Sequence, residues 1–118
     1  MSEYNAHIDN LLSSISDSLS EIQNNFDAYQ VANFPERTPQ FFCLELNGEA
    51  GELANDEKKI WKGREILKEK LAEEAADVFI ALMNYVNSRK LNLQDSVIIK
   101  IKKNEEMRKE RAEKGLEY

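Results

Sequence analysis

The chain has 118 residues, 42% of them hydrophobic and 32% charged, with a formal net charge of -6. That length fits one domain spanning 1–118, and the apolar content is too high for a disordered segment. The acidic balance argues against general nucleic-acid binding, although residues 100–114 hold seven Lys or Arg and can form a local basic patch.

Helical periodicity runs through the sequence. Ile8, Leu11, Leu12, Ile15, Leu19, Ile22 and Phe26 recur at three- and four-residue steps and describe one long amphipathic helix. Val31 to Glu36, with Pro35, breaks it. Thr38-Pro39 reads as an N-cap followed by proline at the first helical position, opening a second helix to about Lys62 that Gly63 stops. A third helix is expected from about Ile66 to Ser88, with Leu71, Ala75, Val78, Leu82, Tyr85 and Val86 as its apolar stripe. Asn92 caps a fourth, in which Asp95 complements the positive helix start and Val97, Ile98, Ile101 and Met107 face inward. The chain is expected to fray from about Ala112. No segment alternates with period two, so the fold class is all-α, a bundle of four main helices completed by dimerisation.

The lone cysteine, Cys43, lies in the apolar run Phe41-Phe42-Cys43-Leu44 and reads as a small buried hydrophobe. A single thiol suits a reducing cytoplasm. Residues 1–4 carry no signal-peptide pattern, and no apolar run approaches membrane-spanning length. His7, at the frayed start of the first helix, is a poor catalytic candidate.

Two acidic pairs stand apart from this background: Glu49-Ala50-Gly51-Glu52 and Glu74-Ala75-Ala76-Asp77. Three-residue spacing puts both members of a pair on one side of a helix, and no basic residue lies between them. On a helical wheel, Phe42, Leu46, Leu53 and Ile60 define the inward face of the second helix. Glu45, Glu49, Glu52 and Asp56 form a wedge beside it, with Glu49 the most inward. Glu74 borders the apolar stripe of the third helix, and Asp77 lies one step further out. Stacked acids beside an apolar face repel one another and resist desolvation, a local conflict that marks functional sites. A hard divalent cation, which prefers oxygen ligands, resolves it. The alternative is a rim of solvated acids, the better reading for any one pair alone.

The run Cys43-Leu44-Glu45-Leu46-Asn47-Gly48-Glu49-Ala50-Gly51-Glu52-Leu53-Ala54 resembles the first metal helix of the MazG-type nucleoside triphosphate pyrophosphohydrolases. Leu71-Ala72-Glu73-Glu74-Ala75-Ala76-Asp77-Val78-Phe79-Ile80 resembles the second. Leu91 to Val97, followed by Lys100-Ile101-Lys102-Lys103-Asn104, is similar to the helix after it. The similarity covers about Pro39 to Arg108, and the combination is specific where each piece alone is weak. The resemblance implies an all-α hydrolase that converts a nucleoside triphosphate, often a deoxynucleotide (dNTP), to its monophosphate and pyrophosphate, with a role in nucleotide-pool cleaning. It implies Mg2+ held by Glu49, Glu52, Glu74 and Asp77, with Mn2+ as a possible substitute. Lys100 and Asn104 would hold phosphate oxygens, assisted by Lys103 or Arg108.

Gly48 departs from the pattern, because many relatives carry an acid directly before the first metal glutamate. Glu45, one turn back, is the substitute candidate for general base beside Glu49. Without the resemblance, Lys100 and Lys103 read as a solvated basic face. Trp61 is a candidate for stacking on the nucleobase, although a tryptophan at a helix end more often packs on a neighbouring helix. Phe26, Tyr29 and Phe34 are alternatives for stacking. Two other functions compete: hydrolysis of phosphoribosyl-ATP, and a non-catalytic helical regulatory or interaction module whose acids stay solvated. The expected partners are the triphosphate substrate and further copies of the chain, as a homodimer or homotetramer, with no nucleic acid and no membrane.

Overall fold

The computed structural model describes residues 5–116. Its elements are α1 (Ala6–Asn33), α2 (Pro39–Trp61), α3 (Lys68–Ser88) and α4 (Leu93–Glu113). The all-α expectation holds among the described residues, and none of these helices is long and apolar enough to cross a membrane. Residues 1–4, which carry no signal-peptide pattern in sequence, lie outside the described residues. Contacts group the chain into two compact units, one of residues 1–23 with 92–118 and one of residues 24–91.

In the first unit, α1 begins one residue before His7, whose backbone N–H donates to Asn5 Oδ1 at 3.0 Å, so His7 sits in a formed first turn. Gln23 is the one buried residue of α1. Its side-chain oxygen accepts from the backbone N–H of Leu93 at 3.2 Å, and Gln94 Oε1 accepts from Ser20 N–H at 2.9 Å. Two glutamines thus join α1 to the start of α4. Asn92 caps α4 as the sequence predicts: its Oδ1 accepts from Asp95 N–H at 3.1 Å and its Nδ2 donates to Asp95 Oδ2 at 2.9 Å. No residue of α4 is buried, and Met107, expected inward, is 50% exposed. α4 ends at Glu113, one residue past Ala112, and Gly115 follows at φ 73°.

In the second unit, α1 runs through Val31 to Asn33 before Pro35 ends it. Proline disfavours helical conformation at the residue before it but not three residues earlier. Thr38 Oγ1 accepts from Phe41 N–H at 3.2 Å and Pro39 follows, so α2 starts where its cap dictates. It stops at Gly63, whose φ of 90° only glycine adopts without strain. Leu67 precedes α3 without a side-chain cap, so α3 starts two residues later than the spacing predicts. Phe42, Ala81, Met83 and Val86 are the buried apolar residues, and Phe26 meets Phe79 edge-on with ring centroids 5.8 Å apart.

Two further burial expectations are overturned. Cys43 is exposed, because it lies about 100° round the helix from the inward Phe42. Ala75, placed in the apolar stripe of α3, is exposed too, whereas Glu74, Ala81 and Asn84 are buried. The buried face of α3 is therefore rotated toward its polar side.

Candidate metal centre

The short link between α2 and α3 turns the chain back on itself. Asp56 pairs with Lys70, while Glu49 feels the charge of Asp77, so pairing partners move apart in sequence as expected for antiparallel helices. The acidic wedge of α2 consequently faces the acidic side of α3.

The four acids differ in environment. Glu49 and Asp77 are half-buried, Glu52 is exposed and Glu74 is buried. Burial, then the charges of Glu52, Asp77 and Glu45, hold the Glu49 carboxyl above the ordinary glutamate range. That brings both members of the first pair, one member of the second and Glu45 into one electrostatic neighbourhood. Glu45 itself is exposed.

The most inward acid of α2 is Asp56, 2% exposed, and not Glu49 as the wheel predicts. The wheel was centred on the apolar stripe, but α3 packs over the acidic edge. Asp56 Oδ1 accepts from Lys70 Nζ at 3.3 Å, and Lys59 Nζ lies 4.0 Å from the same oxygen. Lys70 Nζ is also 4.0 Å from Glu74 Oε1. The other oxygen of each carboxylate, Asp56 Oδ2 and Glu74 Oε2, is buried with no donor. The two carboxyls act on each other: Glu74 is pushed up, first by Asp56 and then by burial, while Asp56 is pulled down by Glu74 and by Lys70.

Among the described residues, no three acidic, His or Cys side chains are gathered closely enough to hold an ion between them as they stand. Carboxylates that repel one another are expected to stand apart until a cation enters. The donor chemistry fits a hard divalent cation: every candidate is a carboxylate, and two buried oxygens lack any donor. Glu49, Glu52, Glu74 and Asp77 could hold it.

A cavity of about 930 Å³ opens in the same unit between the end of α1, the start of α2 and the end of α3. Phe34, Phe42, Asn84, Asn87 and Lys90 are among its lining residues. Asn84 is 7% exposed and its Oδ1 is buried without a donor. Phe42 and Asn84 each lie seven residues from an acid, Glu49 and Asp77 respectively. Seven helical residues span on the order of 10 Å, so one ligand can reach from the acids to the cavity. Trp61 is at the other end of α2 and 91% exposed, which overturns the expectation that it packs on a neighbouring helix.

The phosphate-binding candidates belong to the other unit. Lys100 and Lys103 are exposed on α4. Asn104 is half-buried and lines a hollow of about 320 Å³ with His7, Ile8, Leu11 and Ile101. The Arg108 guanidinium donates to Glu105 and holds that carboxyl below its ordinary range. Two residues were missed from sequence. Asp56 was visible in the acidic wedge, but its burial depends on where α3 lies. Asn84 gave no signal beyond its place in an apolar segment.

No protein-family model, curated protein or solved structure matches the chain.

Proposed function

We propose that the protein is a MazG-type, Mg2+-dependent nucleoside triphosphate pyrophosphohydrolase acting on the cytoplasmic nucleotide pool. The observation that carries the reading is the meeting of α2 and α3 acids in one neighbourhood, where Glu49 and Glu74 are both held above the ordinary range and two buried oxygens lack donors. Solvated rim acids have no reason to be buried in this way.

Glu49, Glu52, Glu74 and Asp77 would hold the cation. When bound there, Mg2+ or Mn2+ offsets phosphate charge and lowers the pKa of the attacking water. Water forms a bond to phosphorus as the P–O–P anhydride bond breaks, giving the monophosphate and pyrophosphate. Glu45 takes the water's proton, and its exposure lets it pass that proton to bulk solvent. Lys100 and Asn104, with Lys103 or Arg108, are the residues that the resemblance assigns to phosphate oxygens. The nucleobase is accommodated in the cavity, against Phe34 and Phe42, with the Asn84 side chain in the wall beside it. Exposed apolar residues on the second unit, Leu44 at 72% and Phe79 and Ile80 at 43% each, support assembly into a homodimer or homotetramer.

The test is pyrophosphate release from a panel of nucleoside triphosphates, with phosphoribosyl-ATP included, by the wild type and by Glu49→Ala. Release by the wild type and its loss by at least about a hundredfold in the variant are expected. Equal release by both, or none from any substrate, refutes the assignment.

A further inference from the structure

The resemblance gives Asp56 no role, yet it is the most deeply buried acid of the protein's described residues. A carboxylate 2% exposed is unfavourable unless it is paired and fully hydrogen-bonded. Asp56 is half satisfied: Lys70 serves Oδ1, and nothing donates to Oδ2. The neighbouring Glu74 shows the same asymmetry, with Lys70 near Oε1 and no donor for Oε2. Lys70 therefore ties the two carboxylates together from one side, while their other oxygens stay open. A purely structural cluster of this kind is often no more stable than apolar residues of similar volume in its place. Groups that hold metal ligands in orientation have this character: they fix a ligand's rotamer and are not themselves coordinated.

We propose that Asp56, braced by Lys70, is a positioning residue that fixes the side chain of Glu74 so that a divalent cation reaching Glu49, Glu52 and Asp77 meets a preset fourth carboxylate. The proposal rests on the cation site described above. A free glutamate must give up rotamer freedom when it ligates, and a braced one has already done so. The brace also explains why a lysine is found beside acids whose work is to attract a cation. Its ammonium opposes cation binding by charge but holds the geometry that binding needs.

The two effects of Lys70 have opposite signs, which makes the experiment decisive. Mn2+ affinity is read from the free-ion paramagnetic resonance signal, without substrate, for the wild type, Asp56→Asn, Lys70→Met and Glu49→Ala. Melting temperatures are read without metal on the same samples. Asp56→Asn should bind Mn2+ about ten- to a hundredfold more weakly, the usual range for such supporting groups. Its metal-free melting temperature should be unchanged or higher, because an amide can donate to Glu74 Oε2. A purely structural Asp56 would lower it. Lys70→Met, at a side chain 50% exposed, should also weaken Mn2+ binding in the samples whose melts show a folded protein. Simple removal of a positive charge would instead strengthen it.

Binding by Asp56→Asn within about twofold of wild type, or tighter binding by Lys70→Met, overturns the positioning role. If Glu49→Ala loses Mn2+ in that same experiment, the cation site stands without it. A wild type that binds no Mn2+ overturns both.

Discussion

Asn84 offers a prediction in which stability and ligand binding move in opposite directions. Its side-chain oxygen is buried with no donor, and the residue is 7% exposed in the wall of the cavity. An unsatisfied buried acceptor costs about 1–3 kcal/mol, and replacing it with an apolar group of similar size removes that cost. Asn84→Leu, which keeps the branching at Cγ and whose larger side chain the adjoining cavity can admit, should therefore stabilise the ligand-free protein by about 1–2 kcal/mol. For a chain of this length the unfolding entropy is roughly 0.25 kcal/mol per kelvin, so the melting temperature should rise by about 4–8 °C. The same change replaces the amide in the cavity wall by an apolar group, a loss of about one hydrogen bond to the nucleobase or roughly tenfold in affinity. The assay pairs thermal melts with titration of a nonhydrolysable deoxynucleotide triphosphate and of inorganic tripolyphosphate. Nucleotide affinity should fall while tripolyphosphate affinity stays the same. A lower melting temperature together with unchanged nucleotide affinity would refute the reasoning, since the oxygen would then be satisfied within the protein and the base bound elsewhere.

Further outcomes follow from the same geometry. Glu49 and Glu74 carboxyls held above the ordinary value of 4.5 bind more protons in the folded than in the unfolded chain. They therefore contribute stability that is present below that value and lost as pH rises through the folded pKa, and metal-free melts should fall in temperature as pH rises above about 4.5. Millimolar Mg2+ should flatten that decline, and a pH profile indifferent to Mg2+ would contradict it. A Cβ on Gly51 would meet nothing within 4 Å, so Gly51→Ala should stabilise the metal-free chain by about 1 kcal/mol through helix propensity, measured by chemical denaturation. Trp61→Ala should change stability by less than about 0.5 kcal/mol, given its 91% exposure, so that any loss of nucleotide binding in that variant reports contact with ligand or partner.

Helix identity was legible because local chemistry sets it. Thr38-Pro39, Asn92 with Asp95, and Gly63 each act through groups a few residues away, and each appears where the sequence places it. Depth was less legible, because it depends on which side of a helix its neighbour covers. The periodicity of α2 locates Phe42 correctly, yet the apolar stripe gives no sign that α3 packs over the acidic edge and buries Asp56 and Glu74. The exposed Cys43 and Ala75 have the same origin: an apolar residue type is compatible with the surface, and only packing decides. The Gln23 and Gln94 contacts could not be read either, since a glutamine carries no periodic signal for the backbone N–H it will meet.

The central claim is that these carboxylates serve cation-dependent cleavage of a triphosphate into monophosphate and pyrophosphate. Phosphorus NMR of a deoxynucleotide triphosphate incubated with the wild-type protein tests it directly. With Mg2+ the account predicts the signals of nucleoside monophosphate and pyrophosphate in equal amounts, and no reaction when the metal is chelated. Nucleoside diphosphate with inorganic phosphate, or an unchanged triphosphate spectrum in Mg2+, would contradict it.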